Sequence, residues 1–295
     1  MTHVATLISS PAAPALTPEA IAAARRRLGS GDTVPLDPGV AADLHFVPAA
    51  GTDPETDLRI TLAGLPLDIV VQPVEGRRKR LLIADMDSTM IGQECIDELA
   101  AEIGIKDHVA AITERAMRGE LAFEPALRER VGLLAGIDAG VVDRIIAARI
   151  TLTPGGPELV RTMRANGAYT ALVSGGFTVF TGPIAGRIGF DENRANTLLA
   201  EDGRLVGRVA EPILGAEAKL ASLHELATTR DIPMALTLAV GDGANDLPML
   251  QAAGLGVAFR AKPKVAAAAA ARIEHADLTA LLYLQGYRRA EFVAA

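Results

Sequence analysis

Tryptophan is absent from the 295 residues, and aromatic side chains make up only 3% of them. Single-stranded nucleic acid is bound on aromatic stacking platforms, so that class of ligand is not expected. Cysteine occurs once, as Cys95. No intramolecular disulfide can form, and the composition suits a reducing, cytoplasmic compartment. No run approaches 18 uninterrupted apolar residues, so no transmembrane helix is expected. The first twenty residues are rather apolar but lack a basic leader, and Pro11 and Pro14 interrupt them, so a secretion signal is not expected. A basic excess is missing too: 29 Lys and Arg stand against 36 Asp and Glu, for a net charge of -7. Nucleic acid and anionic membrane, which are held by basic charge, are therefore not expected as partners.

What is present suffices for a self-supporting core. Apolar residues are 49% and charged residues 22%, ordinary values for a globular chain. At roughly 150 residues per domain the length suggests about two domains. Residues 1–76 read as a small α+β unit. Strands are expected at 4–8, 44–47 and 67–71, with a helix opened by Thr17 and Pro18 and closed at Gly29. Pro48, Gly51 and Pro54 mark a turn-rich stretch between the later strands. The short basic run Gly76-Arg77-Arg78-Lys79-Arg80 reads as a solvated linker.

From Leu81 strands alternate with helices. Buried strands are expected at 81–84, 169–173, 236–240 and 256–259, which implies a doubly wound parallel sheet of the α/β class. The stretch from about Cys95 to Ile150 carries helical patterns only and reads as a helical insertion. Asp202-Gly203 is a hairpin turn between two short strands. Val265 and the six alanines after it read as a short packed helix.

Ligands of an open parallel sheet bind beyond the carboxyl ends of its strands. Asp85-Met86-Asp87-Ser88-Thr89 follows the first of these strands, Ser174-Gly175-Gly176 the second, and Gly241-Asp242-Gly243-Ala244-Asn245-Asp246 the third. Asp85, Asp87, Asp242 and Asp246 thus converge on one edge. Oxygen donors without histidine or cysteine suit a hard octahedral cation such as Mg2+. Ser174-Gly175-Gly176 offers a hydroxyl and open backbone N–H groups ahead of a helix, a turn able to hold phosphate. Lys219, near the start of another helix, is either an exposed residue or a phosphate clamp. Cys95 reads as a packed side chain rather than a nucleophile, because no activating cluster surrounds it.

In order and spacing these motifs resemble the haloacid-dehalogenase-like phosphohydrolases over residues 81 to about 284. D-M-D-S-T looks like the family's first motif, Ser174 its second, Lys219 its third, and Asp242 through Asp246 its fourth. The stretches D-S-T-M-I-G-Q-E-C-I-D-E-L-A, A-M-R-G-E-L-A-F-E-P-A-L-R-E-R-V and V-S-G-G-F are similar to the phosphoserine phosphatase family within it. The resemblance implies a Rossmann-like core at 77–295 with a helical cap inserted at about 93–150. It implies that Asp85 is the nucleophile that becomes an aspartyl-phosphate, and that Asp87 is the general acid and then the base. It implies that Mg2+ is held by Asp85, the Asp87 carbonyl and Asp242. Ser174, Gly175 and Lys219 would hold the phosphoryl oxygens, with Asn245 and Asp246 in support. In the cap, Glu94 and Arg130 would bind the amino-acid end of phosphoserine, and Met117 and Phe123 the apolar part of the pocket.

On this reading Asp87 keeps its proton because Asp85 is a close like-charged neighbour. Without the resemblance, Arg128-Glu129-Arg130 reads equally well as an exposed helix face. Another phosphatase or phosphotransferase of the superfamily, or a non-catalytic amino-acid sensor, remains an alternative. Residues 1–76 are loosely similar to small-molecule-sensing domains of the ACT type, and for them a homodimer-forming role and a purely structural one both stand open.

Overall fold

The computed structural model describes residues 1–117 and 120–294, with Met117 described by its backbone alone. The first unit runs β1 (His3–Ser9), α1 (Pro18–Leu28), β2 (Asp32–Asp37), β3 (Ala41–Phe46), α2 (Pro54–Thr61) and β4 (Leu67–Pro73). The Thr17 hydroxyl accepts the Ala20 N–H at 3.2 Å, Pro18 sits in the first turn, and Gly29 ends α1 with φ +61. The strands stand in the order β2-β3-β1-β4 with antiparallel neighbours, a ferredoxin-like β-α-β-β-α-β arrangement.

One expectation changes here, and one strand is added. The turn-rich stretch contains α2, whose Asp53 caps it by accepting the Thr56 N–H at 3.1 Å. Residues 32–37 form a strand despite Pro35, because β2 lies at the sheet edge, where a missing donor is tolerated.

The larger sheet comprises β5 (Leu81–Ala84), β6 (Tyr169–Phe177), β7 (Glu192–Asn196), β10 (Thr237–Gly241), β11 (Leu255–Phe259) and β12 (Ala271–Ile273). Its order among the described residues is β12-β11-β10-β5-β6-β7, and every neighbouring pair is parallel. Between β7 and β10, β8 (Leu198–Glu201) and β9 (Arg204–Val209) make the expected hairpin around Asp202-Gly203. All residues of β5 are buried, as a parallel strand covered on both faces requires. Leu82 and Ala84 point into one hydrophobic cluster and Leu81 and Ile83 into the other. This is the period of two expressed on both sides of the sheet.

The expected helical stretch after β5 is present as α3 (Cys95–Glu102), α4 (Lys106–Met117), α5 (Phe123–Gly132) and α6 (Val141–Ala148). The β8–β9 hairpin is tied to this stretch rather than to the parallel sheet: the Gly136 N–H donates to the Leu205 carbonyl and the Ala139 N–H to the Gly203 carbonyl, both at 2.8 Å. The remaining helices are α7 (Gly156–Ala165), α8 (Thr178–Ile188), α9 (Ala216–Thr229), α10 (Leu247–Ala252), α11 (Pro263–Ala268) and α12 (Ala280–Leu284). The alanine run is only partly the packed helix expected. α11 ends at Ala268, and Ala271 already belongs to β12.

The basic run is solvated only in part: Arg78 and Arg80 are exposed, but Arg77 and Lys79 are not. Arg77 pairs with Asp43 at 2.6 Å, with side-chain exposures of 10% and 3%. Its remaining donors reach the Tyr283 and Leu284 carbonyls at the end of α12, at 3.2 and 3.1 Å. Lys79 donates to the Ala235 carbonyl, and Arg78 stacks on Tyr287 and pairs with Glu291. A helix end leaves carbonyls without partners, and a guanidinium has enough donors to satisfy them while keeping its carboxylate. Asp68 does the converse, accepting the backbone N–H groups of Glu274, His275 and Ala276. Ile8 and Val70 of the first sheet accordingly pack in the same cluster as Leu281 and Leu284. No helix among the described residues is long and apolar enough to cross a membrane.

Candidate active site

The switch in strand order falls at β5 and β10, and the acidic motifs leave the sheet there. The Asp85 N–H still continues the parallel ladder, donating to the Val240 carbonyl at 3.0 Å. Its carboxylate accepts the Met86 N–H at 2.7 Å and meets the Lys219 ammonium at 2.7 Å. Lys219 is fully buried on α9 and also pairs with Asp246 at 2.7 Å. Of its two sequence readings, exposure is therefore excluded. Asp246 in turn accepts the Gly243 N–H. A Cβ at Gly241 would collide with the Asp246 carboxyl group, so this close approach requires glycine.

Asp87 lies opposite β6. Its carboxylate accepts the Cys95 N–H at 3.1 Å, and a Cβ on Gly176 would stand 2.8 Å from its Oδ2. The glycine therefore leaves room for the acid. Ser88 adopts a left-handed φ of +54, unusual for a residue with a side chain. Its hydroxyl donates to Glu94 at 2.6 Å. Ser174 is buried, and its hydroxyl accepts the Gly176 N–H at 2.9 Å.

A cavity of about 400 Å3 opens over these groups. Asp85, Asp87, Ser174, Gly175, Asp242 and Asn245 line its floor, and Glu94, Phe123 and Arg130 line it from the side of the helical stretch. Lys219 and Asp246 adjoin the floor through Asp85 and the Gly243 N–H. The Phe123 ring packs over Gly175 and Gly215, joining α5 to the Ser174-Gly175-Gly176 turn. The Met117 side chain, expected in the pocket, lies outside the described residues. Arg130 is 8% exposed, so it is not on an exposed helix face. Its neighbour Arg128 is on that face and pairs with Glu211.

The electrostatics correct one expectation. The Asp87 carboxyl is pushed up to about 7, first by burial and then by the charge of Glu94. Asp85, the neighbour expected to raise it, is not among the causes. Burial, and then Asp246, also push Asp85 well above the usual carboxylate range and Asp242 to about 7. For Lys219 burial pulls the ammonium pKa down, but Asp246 and Asp85 outweigh it and the net direction is up. Burial pushes the Cys95 thiol up and out of reach of reactivity.

Carboxylate oxygens of Asp85, Asp242 and Asp246 all lie within 4.8 Å of one another. An octahedral Mg2+ with bonds of about 2.1 Å sets its ligand oxygens about 3 to 4.2 Å apart. An all-oxygen cluster of this span fits a hard divalent cation, and the upward-shifted acids are what its charge would relieve.

Asn196 was missed in the sequence, where it reads as part of a hairpin strand. It is buried, donates to the Gly175 and Leu214 carbonyls at 2.8 and 3.2 Å, and accepts the Leu214 N–H at 2.7 Å. It thus fixes the Ser174-Gly175 turn against the segment that leads to Lys219. No local pattern marked it, because its partners at Gly175 and Leu214 lie far along the chain on either side. Lys262 and Lys264 also line the cavity and carried no local motif.

Residues 82–251 match the model of the haloacid dehalogenase-like hydrolases. The chain belongs to this family. It is 45% identical to a phosphoserine phosphatase of Streptomyces coelicolor over 87% of its own length and 63% of that protein. It is 38% identical to the phosphoserine phosphatase of Saccharomyces cerevisiae, over 82% of its own length and 81% of that protein. The solved structure of a haloacid dehalogenase family hydrolase from Salmonella enterica serovar Typhi is similar at a TM-score of 0.85 and 31% identity. That match covers 96% of this chain and 98% of the other. The chain spans about three-fifths of the length of the first curated relatives it matches. The haloacid-dehalogenase-like core expected from the motifs is thereby borne out, with its parallel sheet and flanking helices.

Proposed function

We propose that this chain is a Mg2+-dependent phosphoserine phosphatase acting through an aspartyl-phosphate on Asp85. Arg130 carries the substrate reading. It is a buried guanidinium whose own contacts are the Ala126 carbonyl and the Thr113 hydroxyl, at 3.1 and 3.0 Å. No carboxylate lies within 4.0 Å of it among the described residues. A buried cation left without a counter-ion is costly, and the carboxylate of phosphoserine is of the right charge and shape for a planar fork. Glu94, held by Ser88, suits the ammonium. The phosphoserine phosphatases among the relatives support the same substrate.

Asp85 attacks phosphorus, an Asp–O–P bond forms, and the ester O–P bond breaks. Asp87 gives its proton to the departing serine oxygen, and the resulting carboxylate then takes a proton from the water that hydrolyses the acyl phosphate. Burial and Glu94 keep that proton available near neutrality. Ser174, the Gly175 N–H and Lys219 hold the phosphoryl oxygens. Asp85, Asp242 and the Asp87 carbonyl would hold Mg2+, which when bound would supply positive charge against the phosphoryl group. Asp246 keeps Lys219 in place, and Asn245 completes the floor.

Phosphate release from phosphoserine in the presence of Mg2+ is the direct test, and none from the pure protein would end the proposal. Arg130→Ala is expected to raise KM about 10–100-fold with a smaller change in kcat, the worth of a hydrogen-bonded charge pair. An unchanged KM would remove carboxylate recognition by Arg130. Mg2+ should also raise the thermal unfolding temperature. Free Mg2+ at a hundred times its Kd corresponds to about 2.7 kcal/mol of added stability. No shift on titrating Mg2+ into the chelated protein would mean the cluster does not hold it.

The same reading divides the chain into a small N-terminal domain at 1–76 and a phosphatase core at 77–295, with the cap inserted at about 93–150. It places the enzyme in the cytoplasm.

A further inference from the structure

We infer that Thr113 is a positioning residue for substrate selectivity, holding Arg130 in place without neutralising it. The inference rests on the proposed phosphoserine reading and extends it to a residue that touches neither phosphate nor metal. Thr113 lies on α4 and Arg130 on α5, so their hydrogen bond ties the two helices together across the cavity wall. A threonine hydroxyl has one proton and two lone pairs. Here the proton is committed: the hydroxyl donates to the Val109 carbonyl one turn back, at 3.2 Å. A lone pair must therefore face Arg130 Nη1, which donates to it at 3.0 Å. The guanidinium Nε is likewise taken by a neutral acceptor, the Ala126 carbonyl.

Both anchors orient the fork, and neither cancels its charge. An acid at position 113 would orient it equally well, but would form a buried ion pair and leave nothing for a substrate carboxylate. The charged side chains that act on Arg130, namely Glu94, Asp97 and Asp87, do so from beyond ion-pair distance. Thr113 also faces a smaller cavity beside Glu94 and Asp97. It therefore stands where the carboxylate-binding and ammonium-binding groups meet.

Thr113→Val keeps the shape and removes the acceptor. Steady-state kinetics would compare phosphoserine with O-phosphoethanolamine, which is phosphoserine without its carboxylate. Thr113→Val is expected to raise KM for phosphoserine about tenfold, with kcat within twofold. kcat/KM for O-phosphoethanolamine should stay within twofold, and Thr113→Ser should restore the wild-type KM. In an Arg130→Ala background Thr113→Val should add nothing further. Thermal unfolding checks that the variants are folded, and Thr113→Ala is the second variant should the valine fail to fold. Equal losses on both substrates, or an unmoved KM for phosphoserine, would overturn the inference. A wild-type protein that releases no phosphate from phosphoserine is a separate result, which overturns the functional proposal and this inference together.

Discussion

Asp85→Asn is expected to lower kcat for phosphate release by at least about 10^4-fold while leaving a folded protein. Asparagine keeps the shape of the side chain and an oxygen that can accept the Met86 N–H and face Lys219, the two contacts Asp85 makes. It loses the anionic oxygen that attacks phosphorus. The substitution also takes one acid out of a crowded cluster. Burial and the charge of Asp246 both press on Asp85 in the metal-free protein, so removing its charge relieves repulsion as well as ending the Lys219 ion pair. Thermal unfolding should therefore move little while turnover collapses. Phosphate release and unfolding measured on the same preparation separate the two effects. A kcat within tenfold of wild type would show that Asp85 is not the nucleophile.

Lys219→Ala is expected to destabilise the metal-free protein by about 3–5 kcal/mol, the usual cost of removing one partner from a buried ion pair. The ammonium is fully buried and touches Asp85 and Asp246, each at 2.7 Å. Without it, Asp85, Asp242 and Asp246 stand within 4.8 Å of one another with no cation among them. Two further results should accompany the loss. Mg2+ should recover part of the stability, because it returns positive charge to the same acids. A second change, Asp246→Asn, should also recover part, because it removes a buried charge that has lost its partner. Denaturant unfolding with and without Mg2+ measures all three. A loss below about 1 kcal/mol in the metal-free protein would mean that the triad contributes little to folding.

The site was legible in the sequence where its chemistry is local to one strand end. Asp85 and Asp87 follow a buried run of four residues, and Asp242 and Asp246 follow one of five. A strand that ends in polar residues announces which end of the sheet is open. The parallel architecture, the helical stretch after the first strand and the Asp202-Gly203 hairpin were readable for the same reason, since each is a matter of period or turn chemistry over a few residues. The turn-rich stretch that became α2 was not. There the local signals pointed to turns, and packing beneath Leu58 outweighed them.

Residue types and their spacing alone determined the family-like motif set and the acidic floor. Only the tertiary structure decided what those residues do to one another. Asn196 joins a turn at 175 to a segment at 214, and Lys219 bridges acids from two different strands. The Asp87 proton answers to burial and Glu94 rather than to the neighbour at 85. Arg77 became the bolt between the first unit and α12 instead of a solvated linker. Each of these depends on groups far apart in the chain meeting where water is excluded. Burial and long-range pairing set a charge's cost, and neither is written in local order.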